Sequence, residues 1–110
     1  MAVSGTWTLY YSWGCSGIYS SASMTFSGNG TWTSSKGYGG KWAEVAGMFM
    51  FNIDFYETTY SGNLAGSSVT GIMATWSGPT GCFYMLEAGT PTDRGELQAG
   101  DGLDIAGRQS

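Results

Sequence analysis

The chain has 110 residues, a net charge of −4, 42% apolar and 15% aromatic residues, 19 Gly and 2 Cys, with 11% charged residues and no His. That is one domain of ordinary size, too apolar for disorder and too poor in long helix formers for a bundle, so an all-β fold is expected. The lack of His excludes His-based acid–base chemistry, a Ser-His-Asp triad and His-ligated haem, two Cys do not make a structural zinc site, and the acidic balance argues against nucleic acid or an anionic membrane surface.

The chain opens on Met-Ala-Val-Ser-Gly, without the basic and apolar regions of a signal peptide, and no stretch is long and apolar enough for a membrane span. A soluble chain without a leader or a cofactor is therefore expected. From residue 5 onward, short alternating runs are punctuated by Gly, Asn and Pro at intervals of a sandwich or barrel. Eight runs are expected, near 5–14, 17–27, 31–36, 40–45, 48–55, 58–65, 68–76 and 81–88. All connections are of hairpin length, which predicts a meander in which sequence neighbours are sheet neighbours.

Each turn sets a register that one buried face must satisfy. The first run points Trp7, Leu9, Tyr11 and Trp13 inward, and the second Ala22, Met24 and Phe26. The loop Gly28-Asn29-Gly30 puts Phe26 opposite Trp32, and a turn centred on Gly37 puts Trp32 opposite Trp42. A two-residue turn at Ala46-Gly47 sets Trp42 opposite Phe51 and Glu44 opposite Phe49, and the face continues through Ile53 and Phe55. Gly66-Ser67 pairs Leu64 with Val69, Gly62 with Gly71 and Tyr60 with Met73. A turn at Gly78-Pro79 then pairs Met73 with Tyr84 and Gly71 with Leu86, leaving Ile72, Ala74, Trp76, Phe83 and Met85 outward beside Tyr10 of the first run. Met48 and Met50 form a smaller outward patch.

After Ala88 the composition becomes polar and Gly-rich, so residues 1–88 read as the barrel domain and 89–110 as a C-terminal tail. The tail is either a free terminus or docks through Leu97, Leu103 and Ile105. In a closed meander the first and last strands pair, bringing Cys15 and Cys82 together at the seam, both on the inward face. They are expected to form a disulfide, the alternative being two unrelated buried thiols. A disulfide points to the periplasm or the exterior, and the missing leader to the cytoplasm, so localisation stays open.

With Gly5-Thr6-Trp7 matching their G-x-W signature, and with strand patterns such as Phe26 to Trp32, Gly40-Lys41-Trp42 and Tyr60 to Leu64, residues 5–87 resemble the lipocalin-like barrels of the calycin superfamily. The resemblance implies an eight-stranded antiparallel up-and-down β-barrel, with Trp7 lying across its closed end, and a tendency to hold small apolar molecules inside.

The candidate ligand-binding residues are the inward Tyr11, Trp13, Trp32, Trp42, Glu44, Phe49, Phe51, Tyr60 and Tyr84, with Gly62 and Gly71 leaving space between them. Two readings stay open: the rings fill the barrel, or they line a cavity for a small apolar or aromatic molecule. Glu44 either reaches water near its turn or is enclosed among rings as a proton acceptor or the counter-ion of a cation. No second inward carboxylate accompanies it, which excludes a glycosidase-type pair. The outward set Tyr10, Ile72, Trp76, Phe83 and Met85 is expected to form a homodimer interface on the seventh, eighth and first strands, the alternative cover being the tail. The expected function is binding of a small apolar or aromatic molecule in the barrel. The alternatives are a carbohydrate-binding module using Trp76, Tyr38, Tyr10 and Tyr19, and a cofactor-free cyclase or isomerase using Glu44 and a Tyr hydroxyl.

Overall fold

The computed structural model describes residues 4–76, 78–88 and 105–106. Eight strands, β1 (Gly5–Trp13), β2 (Ser20–Phe26), β3 (Thr31–Ser34), β4 (Gly39–Val45), β5 (Met48–Asn52), β6 (Thr58–Ala65), β7 (Ser68–Thr75) and β8 (Thr80–Glu87), close into one antiparallel barrel in sequence order. The chain is thus an all-β, eight-stranded, up-and-down barrel, the architecture that the resemblance implies.

Local backbone chemistry sets one end of the barrel. Ala46 and Gly47 both have left-handed φ, the requirement of a two-residue hairpin whose twist matches its strands, and they pair Val45 with Met48. Gly30, also left-handed, closes the 27–30 loop and sets Phe26 opposite Trp32, while the Asn29 side chain accepts from the Thr31 backbone N–H and hydroxyl. These turns, with the one between Ala65 and Ser68, make a short-turn end that carries Trp7. The longer connections 14–19, 35–38, 53–57 and 76–79 gather at the opposite, long-loop end.

Two registers differ from expectation. The β3–β4 hairpin pairs Trp32 with Gly40 rather than Trp42. Its loop repeats the three-residue design of 28–30, with Ser34 N–H donating to the Tyr38 carbonyl and Gly37 left-handed in third position. The slip of two residues keeps every side chain on its face. The β7–β8 hairpin slips by an odd number, so the whole of β8 turns over. Thr75 N–H donates to the Pro79 carbonyl and Gly78 N–H to the Thr75 carbonyl, so Met73 meets Gly81, and Gly71 meets Phe83. Phe83 and Met85 therefore point inward and are buried, whereas Tyr84 points outward. The observed register buries Phe83 and Met85, two wholly apolar side chains each worth about 1.5–3 kcal/mol, where the expected one would have buried Leu86 together with the phenol of Tyr84.

The Cys15–Cys82 disulfide is present, with Cα atoms 5.1 Å apart and a sequence separation of 67. Its orientation is corrected: Cys82 pairs with Ser12 and Ile72 on the outer face, and Cys15 is exposed in the loop after β1. The bond staples the β1–β8 seam from outside.

The core consists of the inward residues of all the strands, among them Trp7, Leu9, Trp13, Met24, Phe26, Trp32, Phe49, Phe51, Tyr60, Met73, Phe83 and Met85. Ile53, just past β5, joins it, but Phe55 does not continue the face as expected. It adopts φ 72° and is 99% exposed. The facing Gly62 and Gly71 are backbone requirements rather than spacers, since a Cβ on either meets the opposing strand's carbonyls, Thr70 O and Ser61 O.

Candidate functional site

The inward rings pack against one another across the barrel. Phe26 lies edge-on to Phe49 at 5.5 Å and to Trp42 and Phe51 at 5.8 Å, Trp32 lies 5.0 Å from Phe51, and Phe51 stacks on Tyr60 at 4.5 Å, which meets Phe83 edge-on at 5.1 Å. These separations are those of rings in direct contact. Gly40 makes one such placement possible. It lets the Trp32 indole cross β4 and donate to the Asn52 carbonyl on β5 at 2.9 Å.

Of the expected ligand residues, Tyr11, Trp13, Trp32, Phe49, Phe51 and Tyr60 are buried inside. Trp42 is half-buried, its indole donating to the Ser27 carbonyl at 2.9 Å. Glu44 lies opposite Phe49 as expected, half-buried at the short-turn end, with Oε1 shielded from solvent and without a hydrogen-bond partner among the described residues. Trp7 Nε1, near the same end, is likewise buried and has no hydrogen-bond partner among the described residues. Tyr84 is removed from the lumen by the turned β8: it stacks on Tyr10 at 4.8 Å on the outer wall, with Tyr19 edge-on at 5.4 Å.

The outward set is corrected to match. Phe83 and Met85 belong to the core, so the expected apolar interface on β7, β8 and β1 loses its two β8 members. Ile72, 64% exposed, and Trp76, 88% exposed, remain outward. Ile72 continues a ladder row from Ala43 through Met50 and Ser61, and Val45 and Met48 stand exposed beside it. A groove of about 280 Å³ on this wall is lined by residues of β4, β5 and β6, including Lys41, Met50 and Asn52.

The long-loop end holds what the strand pattern could not show. Ile105 is wholly buried within the barrel core and Ala106 nearly so. The Tyr60 hydroxyl donates to the Ile105 carbonyl, and the Thr58 hydroxyl to the Ala106 carbonyl, each at 2.7 Å. Thr58 was not singled out in the sequence, and its inward parity with Tyr60 is the signal that could have found it. Of the three aliphatics considered for docking, Ile105 docks; Leu97 and Leu103 lie outside the described residues.

Among the described residues no group of three His, Cys, Asp or Glu side chains is arranged to hold a metal ion, and no helix is long and apolar enough to cross a membrane. Compared with known proteins, the sequence matches no family model and is similar to no curated protein.

Proposed function

We propose that this is a lipocalin-like barrel of the calycin superfamily that binds a small apolar or aromatic molecule at the long-loop end of its lumen, in the place of Ile105 and Ala106. The observation that carries the reading is the seating of those two residues. A segment some 45 positions away from Tyr60 puts an aliphatic side chain into the core and two consecutive carbonyls onto two inward hydroxyls. Such a site takes a guest with an apolar body and one or two oxygen acceptors: burial supplies the affinity, and the Tyr60 and Thr58 hydroxyls fix its orientation. Ring packing from Phe26 through Tyr60 limits the guest to this end. The calycin relationship is supported by the closed meander and by Trp7, wholly buried near the short-turn end.

The tail competes with such a guest, so the apparent dissociation constant equals the intrinsic one divided by the fraction of molecules with the site open. Tryptophan fluorescence of the full-length protein, titrated with fatty acids, aromatic hydrocarbons and aromatic cations, tests this. Saturable binding by an apolar class is expected, tightened several-fold by Ile105→Gly, which weakens the internal competitor. An affinity unchanged by that substitution, or no saturation by any of the panel, would refute the reading.

A further inference from the structure

On the rim of the long-loop end, outside the lumen, the loops 35–38 and 53–57 meet around a half-open cavity of about 230 Å³ lined by Gly37, Tyr38, Gly39, Asp54, Phe55 and Tyr56. Three of the six lining residues are aromatic and one is a carboxylate. One hydrogen bond joins the loops, Asp54 N–H donating to the Gly39 carbonyl at 2.9 Å, and each is closed on itself, by Tyr56 N–H donating to the Ile53 carbonyl at 3.1 Å and by Tyr38 N–H donating to Ser34 Oγ at 3.2 Å. The Tyr38 and Tyr56 rings lie edge-to-face, 5.6 Å apart at 80°.

Phe55 is the residue that packing does not explain. Its backbone takes a left-handed conformation that Gly or Asn would adopt at less cost, and its side chain stands 99% in water. A strained backbone and an exposed ring are both unfavourable in the free protein. The strained backbone fixes where the Phe55 side chain leaves its loop, in the lining that it shares with Tyr38 and Tyr56.

We infer that this cavity is an aromatic cage for an organic ammonium group, the quaternary or methylated ammonium of a small molecule. Aromatic rings attract a cation through their quadrupoles, the lining holds those of Phe55, Tyr38 and Tyr56, and the Asp54 carboxylate neutralises the charge. A methylated ammonium needs few hydrogen bonds or none, which suits a lining with one carboxylate and two phenols as its side-chain polar groups; a sugar ring would leave most of its hydroxyls without partners. The chain's net charge of −4 draws cations toward the surface. Lys36, the neighbouring basic residue, is exposed and does not line the cavity. The cage is independent of any guest in the lumen.

The test is a titration of the full-length protein with tetramethylammonium at low ionic strength, read by the upfield shift of the ligand's methyl resonance and by the amide shifts of Gly37, Gly39 and Phe55. Neopentyl alcohol serves as a neutral probe of similar shape and methyl glucoside as a sugar. Saturable binding is expected, at least tenfold tighter than that of neopentyl alcohol. Asp54→Asn is expected to weaken it about tenfold. Phe55→Gly relieves the backbone strain, so it is expected to abolish binding while leaving the melting temperature unchanged or raised. Equal binding of neopentyl alcohol, amide shifts caused by the glucoside instead, absence of saturation, or full binding by Phe55→Gly would each overturn the inference.

Discussion

Replacing Gly40 with Ala tests whether the barrel wall is built around the Trp32 indole. A methyl group at Gly40 meets the Asn52 carbonyl and lies 3.0 Å from Trp32 Nε1, the two atoms joined by the 2.9 Å hydrogen bond. Trp32 has little freedom to move away, since it is buried and packs on Phe51 at 5.0 Å. Overpacking costs about 1–3 kcal/mol, and a buried indole N–H that loses its acceptor costs about 1–3 kcal/mol more. The lower entropy of the unfolded Ala chain returns about 0.4–1 kcal/mol. The net loss is about 3 kcal/mol, and the expected fall in melting temperature is roughly 10–20 °C. Thermal and urea unfolding of Gly40→Ala, Trp32→Phe and the double variant measure it, with Gly28→Ala, whose added methyl meets nothing within 4 Å, as the control. In the Trp32→Phe background the Ala substitution is expected to cost at least ~1 kcal/mol less, because the crossing donor is gone. A Gly40→Ala protein as stable as the Gly28→Ala control, or strictly additive single variants, would show that the close approach is not there.

The turned β8 predicts opposite responses from adjacent residues. Phe83→Ala is expected to cost about 3–5 kcal/mol, and Tyr84→Ala, which removes an outer-wall ring stacked on Tyr10, about 1 kcal/mol; the reverse order in urea unfolding would restore the register expected from the Gly78-Pro79 turn. For the disulfide, the chain-entropy model gives a loss of about 4 kcal/mol on Cys15→Ser with Cys82→Ser. Because the bond lies on the outer face, a reductant is expected to reach it without prior global unfolding, checked by thiol labelling of the folded protein. Labelling that tracks only the unfolded fraction would contradict that placement.

Most of the fold was legible because it rests on local rules. Alternation placed Trp7, Leu9, Tyr11 and Trp13 on one face, and the left-handed demands at Ala46-Gly47 and Gly30 fixed two hairpins whose registers the structure repeats. The Cys15–Cys82 pair followed from closure alone, since a meander that closes has to join its first and last strands. The candidate site was legible in part. Ring identity and parity marked Phe49, Phe51 and Tyr60, but not Thr58 as a donor, nor Ile105 as its neighbour.

What the sequence by itself determined, then, was the existence of the strands, their order and the inward-facing residues of β1 to β7, because periodicity and two-residue turns are decided within a few residues of backbone. Only the tertiary structure decided the registers of the β3–β4 and β7–β8 hairpins, where neighbouring registers differ little locally; in the second, the burial of Phe83 and Met85 in place of Tyr84 and Leu86 selects one. It also decided how the rings and the docked tail residues are arranged at the long-loop end. The turn that throws Phe55 outward, the rings of Tyr38 and Tyr56, and the seat of Ile105 on Tyr60 come from segments far apart in the chain. No local pattern links them, because the barrel's closure is what brings them together.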